Sequence, residues 1–107
     1  MKQSYSDREL PRADVDGLPG PTVLEFGSAW CGICRAAQPA IESALEQRPD
    51  VRHLKIQDGP GRPLGRSFSI KLWPTLVFLR DGVEVARLVR PREQRAIEQA
   101  LTTLVGA

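Results

Sequence analysis

Cys31 and Cys34, three positions apart in Trp30-Cys31-Gly32-Ile33-Cys34, are the residues of this chain best suited to covalent chemistry. They lie where a loop gives way to a helical pattern. The first turn of a helix carries unpaired N–H groups and the positive end of the helix dipole, and both stabilise a thiolate. The thiolate is the attacking form, so a lowered pKa there makes Cys31 reactive near neutral pH. Cys34 sits one turn further in, on the same side. From there it can attack a mixed disulfide formed at Cys31 and release the substrate. Two plainer readings compete. Cysteines are often buried as small apolar residues. A structural zinc takes four ligands, but the chain has one cysteine pair and a single histidine, so zinc would require a dimer. The expectation is a redox-active disulfide Cys31–Cys34 with no metal and no cofactor.

Glu25 lies in an otherwise apolar run, six residues before Cys31. A carboxylate in such a strand is unfavourable unless it is protonated or partnered. Lying beneath the cysteines with a raised pKa, it could accept the proton of Cys34. The alternative is an edge-strand Glu that reaches water. In Trp73-Pro74-Thr75 a proline opens a strand, a position where it is tolerated. Its peptide bond is either cis in a tight turn or an ordinary trans turn.

The elements that must hold these residues follow from periodicity. Residues 1–20 have few apolar positions and hold Gly17, Gly20, Pro11 and Pro19, so they read as an extended arm with one short helical turn. Thr22 to Phe26 is a buried strand. From Gly32 to Gln47, Ile33, Ala37, Ala40, Ile41, Ala44 and Leu45 recur at helical spacing, with Pro39 predicting a kink. Val51 to Ile56 alternates as a strand, and strand–helix–strand implies a right-handed crossover between parallel strands. Residues 57–63 are a loop, and Pro63 opens a short helix ending near Phe68. Leu76–Leu79 and Val83–Val89 are strands joined by Asp81-Gly82, a tight-hairpin signal. Pro91 reads as the first residue of a closing helix whose stripe is Ile97, Ala100, Leu101, Leu104 and Val105. The order β-α-β-α-β-β-α gives an α/β fold, a mixed central sheet with helices on its faces.

Composition bounds the rest. The 107 residues suit one domain. With 41% hydrophobic and 26% charged residues the chain reads as ordinary globular protein. A net charge of +2 gives no argument for nucleic acid or an anionic membrane. No apolar run approaches the roughly 18 residues of a membrane helix. Met1 to Arg12 has no apolar core of a secretory signal. One close cysteine pair, rather than several spread pairs, suits a reducing compartment. The expected location is therefore the cytoplasm.

From Thr22 to the C-terminus the residues resemble the thioredoxin family. Val23-Leu24-Glu25-Phe26 followed by Ala29-Trp30-Cys31-Gly32-x-Cys34 is similar to the family's central strand and active-site motif. Pro39 matches the proline of the active-site helix, Pro74-Thr75 the family's cis-Pro-Thr, and Asp81-Gly82 its hairpin. The resemblance implies a thioredoxin fold, with residues 1–20 as an atypical or shortened beginning and 21–107 as the domain. It implies Cys31 as nucleophile, Cys34 as resolving thiol and Glu25, where most members have a buried Asp, as proton acceptor. It implies a substrate surface of Trp30, Gly32, Ile33, Trp73, Pro74, Thr75 and Arg90. Ile33 stands in place of a usual Pro, Trp73 in place of a smaller apolar residue, and Arg90-Pro91 in place of a Gly-containing loop, which should alter partner choice. His53 is read as standing in place of a usual Lys, with a structural role the plainer reading for a lone histidine.

The function expected from these residues is thiol–disulfide exchange on proteins, run as disulfide reduction. Its partners would be disulfide-bearing proteins and a disulfide reductase that recycles the pair, and the protein would be a monomer. The alternative is a docking or assembly module of the same fold with little redox turnover. A glutathione-using enzyme fits the Trp-Cys-Gly pattern less well.

Overall fold

The computed structural model describes residues 4–106. Its elements are α1 (Arg12–Asp16), β1 (Pro21–Gly27), α2 (Gly32–Glu46), β2 (Arg52–Gln57), α3 (Pro63–Ser67), β3 (Thr75–Arg80), β4 (Val83–Val89) and α4 (Gln94–Leu104). The four strands form one mixed sheet in the order β2-β1-β3-β4. β1 pairs with β2 in parallel and with β3 antiparallel, and β3 pairs with β4 antiparallel. β1 is thus central and covered on both faces, which is why it reads as a continuous apolar run. Along it side chains alternate between faces. Val23 packs with Ile41, Ala44, Ile97, Leu101 and Leu104 of α2 and α4. Leu24 and Phe26 pack with Val15, Leu64 and Phe68 of the α1 and α3 side.

The hairpin forms at Asp81 and Gly82, whose φ angles are 51° and 81°. Two successive left-handed residues are what a twisted two-residue hairpin needs, and Asp and Gly adopt that conformation most readily. The Asp81 carboxylate also accepts a hydrogen bond from Gly20 N at 2.7 Å, which fastens the turn to the start of β1.

Two local expectations change. α4 begins at Gln94, not at Pro91. Arg90 N donates to Pro74 O at 2.8 Å, which holds the chain against the Pro74 turn, and Glu93 is still extended as the helix cap. Pro91 is buried between these two points. The start of the chain is also more integrated than an extended arm. Its first three residues lie outside the described residues, but Ser6 makes a parallel bridge to Ile56. Ser6 N donates to Lys55 O and Gln57 N donates to Ser6 O, both at 2.9 Å. The expected helical turn is α1, and its few apolar residues all go inward. Val15 is fully buried, with Leu10 and Leu18 packed around the same cluster. Arg12 ties α1 to α3 by donating to Ser67 O at 2.8 Å, with its guanidinium 3.7 Å above the Phe68 ring.

Burying Val15 therefore contributes to the stability of the whole sheet. Val15→Ala removes two buried methyl groups and should lower the unfolding free energy by about 2 kcal/mol. Asp14→Ala, on the exposed side of the same turn, should change it by less than about 0.5 kcal/mol. Urea unfolding of both variants checks this, and equal midpoints would refute the packing assigned to α1.

Candidate active site

Cys31 and Cys34 are both free thiols at the start of α2. Cys31 is the N-cap residue, with extended backbone (φ −90°, ψ 114°), and its Sγ accepts a hydrogen bond from Cys34 N at 3.2 Å. A sulfur here does the work that a Ser or Asp oxygen does at other helix starts, at the end of the dipole that favours negative charge. The two thiols differ in access. Cys31 is partly exposed, whereas Cys34 is fully buried. Burial, with the neighbouring Cys31 sulfur, pushes the Cys34 thiol up to about 11.

Beneath the pair lies a buried polar cluster around Glu25. This residue is fully buried in the middle of β1, so the reading of an edge-strand Glu in water does not hold. His53 Nε2 donates to Oε1 at 2.8 Å, and Gln38 Nε2 donates to Oε2 at 2.8 Å. The Tyr5 hydroxyl also donates to Oε2, and Lys55 Nζ is 4.0 Å away. Gln38 in turn donates to Cys34 O at 2.9 Å and accepts from Lys55 Nζ at 2.8 Å. Burial alone would raise the Glu25 pKa, but the hydrogen bonds from His53, Tyr5 and Gln38 and the charge of Lys55 outweigh it. The carboxyl group is held below its ordinary pKa, which corrects the expectation of a raised one. Burial without donors would have raised it, and here three hydrogen-bond donors and the Lys55 charge surround it. The register also revises the place given to His53. Lys55, not His53, is the Cα partner of Glu25, and the two-residue period of the strand brings both side chains to the carboxylate.

Not all of the expected surface residues lie at the surface: Pro74 and Thr75 are buried. Trp30 is 89% exposed and Ile33 47%. The Trp73–Pro74 peptide is cis. The Trp73 indole donates to Asp58 Oδ2 at 2.8 Å, and Thr75 Oγ1 donates to Leu72 O at 2.6 Å. Arg90 occupies the left-handed region at φ 52°, and its Nε donates to Trp73 O at 2.9 Å. Ile33, Ala36, Ala37, Arg90, Pro91 and Arg92 line a shallow cavity beside the pair. Gly32 is exposed between the cysteines.

Sequence reasoning missed Tyr5, Gln38, Lys55 and Asp58. Gln38 had a local signal, since it stands one helical turn after Cys34. Lys55 lies two residues from His53 on the same strand face. Tyr5 had none, because only the bridge between Ser6 and Ile56 brings it to the site.

The sequence model of the family described as Thioredoxin matches residues 12–103. The chain belongs to the thioredoxin family. The structure of thioredoxin 2 from Pseudomonas aeruginosa in its reduced form is similar at TM-score 0.89 and 56% identity, covering 99% of this chain and 98% of that one. Thioredoxin-2 of Saccharomyces cerevisiae is 32% identical over 103 residues, 96% of this chain and 95% of its own. A bifunctional thioredoxin reductase/thioredoxin of Mycobacterium leprae is 29% identical over 94 residues, 87% of this chain and 20% of its own. This member of the thioredoxin family is a thiol–disulfide oxidoreductase that reduces protein disulfides. Thioredoxins do so with a cysteine pair and no external cofactor. Among the described residues no helix is long and apolar enough to cross a membrane.

Two titrations report on the site. In the reduced protein Cys34 should remain a thiol at pH 8.5 and ionise near pH 11. Its folded pKa lies above the ordinary thiol value of 9.0, so the folded state holds its proton longer than the unfolded state does. Unfolding free energy should then fall as pH rises through that interval. Glu25 has the opposite sign. Its contribution is present above the ordinary carboxylate range and is lost as pH falls through its lowered pKa. Carbon NMR of labelled cysteine and glutamate reads both, and a Cys34 that ionises below pH 9 would contradict the burial described.

Proposed function

We propose that Cys31 is the attacking thiol and Cys34 the resolving thiol of protein-disulfide reduction. The observation that carries this is the asymmetry of the pair: Cys31 caps the helix and is partly exposed, whereas Cys34 is buried behind it. A substrate disulfide meets Cys31 first. Cys31 Sγ forms a bond to one substrate sulfur, and the other leaves as a thiolate that takes a proton. Cys34 Sγ then attacks Cys31 Sγ, the second substrate sulfur leaves, and the Cys31–Cys34 disulfide remains. Two electrons pass from the dithiol to the substrate. Trp30, Gly32, Ile33, Trp73 and Arg90 form the surface on which the substrate chain lies, beside the buried Pro74 and Thr75, with the bulk of Trp73 and the charge of Arg90 restricting which chains dock. Glu25 is the buried carboxylate that receives the Cys34 proton.

The protein works as a monomer in the cytoplasm, and a disulfide reductase returns the pair to the dithiol. The fusion of a reductase and a thioredoxin in the Mycobacterium leprae relative supports that class of partner.

Replacing each cysteine separates the roles. Cys31→Ser should abolish turnover of a protein disulfide. Cys34→Ser should still attack but stop at a mixed disulfide, visible by mass spectrometry without reductant and lost on adding it. Equal activity of both variants, or trapping by Cys31→Ser instead, would overturn the assignment.

A further inference from the structure

The Glu25 carboxylate has no hydrogen bond to Cys34 among those of the described residues. Its Oε1 faces His53, and its Oε2 is taken by Gln38 and Tyr5. The group that touches both ends is Tyr5. Its hydroxyl donates to Glu25 Oε2, and its oxygen and the Cys34 sulfur flank the same point, where a side chain on Gly27 would stand. Gln38 Nε2 approaches the same oxygen at 3.3 Å. A phenol oxygen has one proton to give and two lone pairs to accept with, so with one bond to Glu25 and one from Gln38 it keeps a lone pair for the Cys34 proton.

The surroundings are built to hold Tyr5 there. Backbone bonds of Ser6 to Lys55 and Gln57 fix the chain beside β2. Lys55 Nζ lies 4.5 Å from the centre of the Tyr5 ring. Gly27 at the end of β1 leaves the necessary room. A Cβ there would lie 2.6 Å from Tyr5 Oη and 2.9 Å from Cys34 Sγ, so both atoms occupy the space that any other residue would fill.

We propose that the Tyr5 hydroxyl is the proton relay of the resolving step, carrying the proton of Cys34 to the Glu25 carboxylate. The proposal rests on Cys34 being the resolving thiol. As Cys34 Sγ bonds to Cys31 Sγ and the Cys31–substrate bond breaks, the Cys34 proton moves to Tyr5 Oη, and the phenol's own proton moves to Glu25 Oε2. The substrate sulfur leaves as a thiolate and takes a proton from water. Tyr5 is neutral before and after. Burial and the adjacent Glu25 charge push its pKa well above the ordinary phenol value, so it passes a proton without becoming a phenolate base. The titratable groups facing this path are Glu25 from β1, His53 and Lys55 from β2, and Cys34 from α2.

Rapid mixing of the reduced protein with dithiobis-nitrobenzoate separates the two thiol steps. The first release of thionitrobenzoate, which depends on reagent concentration, reports attack by Cys31. The second, which does not, reports resolution by Cys34. Tyr5→Phe keeps the ring and removes the relay. It should slow the second phase at least about tenfold near pH 7, the low end of what a positioned proton-transfer group supplies, and leave the first within about twofold. The gap should close at high pH, where hydroxide removes the Cys34 proton without help. A second phase with the wild-type rate and pH profile in Tyr5→Phe, alongside its loss in Cys34→Ser, overturns the relay alone. Persistence of the second phase in Cys34→Ser overturns the relay together with the assignment of Cys34. Tyr5 is the only tyrosine in the chain, so difluorotyrosine incorporation acidifies this one phenol with little change of shape. That protein covers the case of a Phe variant that does not fold. The pH profile of its second phase should shift, and a superimposable profile overturns the proposal.

Discussion

A carboxylate at the middle of the central strand governs the interior of this molecule. Glu25 is shielded from water on both sides of the sheet, and an unpartnered charge there would cost several kcal/mol. Its two oxygens are met from three directions: Tyr5 from the start of the chain, Gln38 from α2, and His53 and Lys55 from β2. Each of these residues is held in turn by the backbone of its own element. The carboxylate thereby links the N-terminal segment, the parallel β1–β2 pair and the active-site helix. It also links them to the cysteine pair, because Gln38 bonds the backbone of Cys34.

α2 carries the other half of the arrangement. Its N-terminus presents Cys31 with a hydrogen bond to sulfur, its first turn hides Cys34, and its second turn supplies Gln38. The helix continues through Pro39, one residue beyond Gln38. The cis Trp73–Pro74 turn is fastened by Trp73 to Asp58 and by Arg90 to the Trp73 carbonyl.

Much of this was legible in the sequence because the signals were local. The apolar run of β1, the helical recurrence after Gly32, Asp81-Gly82 and the cysteine spacing each depend on neighbours within a few residues, and each stands where its pattern put it. Glu25 was conspicuous as a charge in an apolar strand, but its ionisation was misread, since the groups that lower its pKa come from residues 5, 38, 53 and 55. The N-terminal segment was read as an arm because Leu10, Val15 and Leu18 are too few to form a periodic stripe. Long-range packing on Phe26 and Phe68 gives them their place. Pro91 misled for a related reason: the proline was suited to open a helix, but a backbone bond from Arg90 to the Pro74 turn delays the start of α4.

The central claim is that Cys31 and Cys34 cycle as one two-electron redox centre. Equilibration of the protein in dithiothreitol buffers of graded potential, followed by thiol alkylation and mass analysis, tests it most directly. The account predicts that both thiols disappear together in a single reversible transition near −270 mV, about the potential of thioredoxin. Two cysteines that remain alkylatable at every potential, or that oxidise only between molecules, would contradict it.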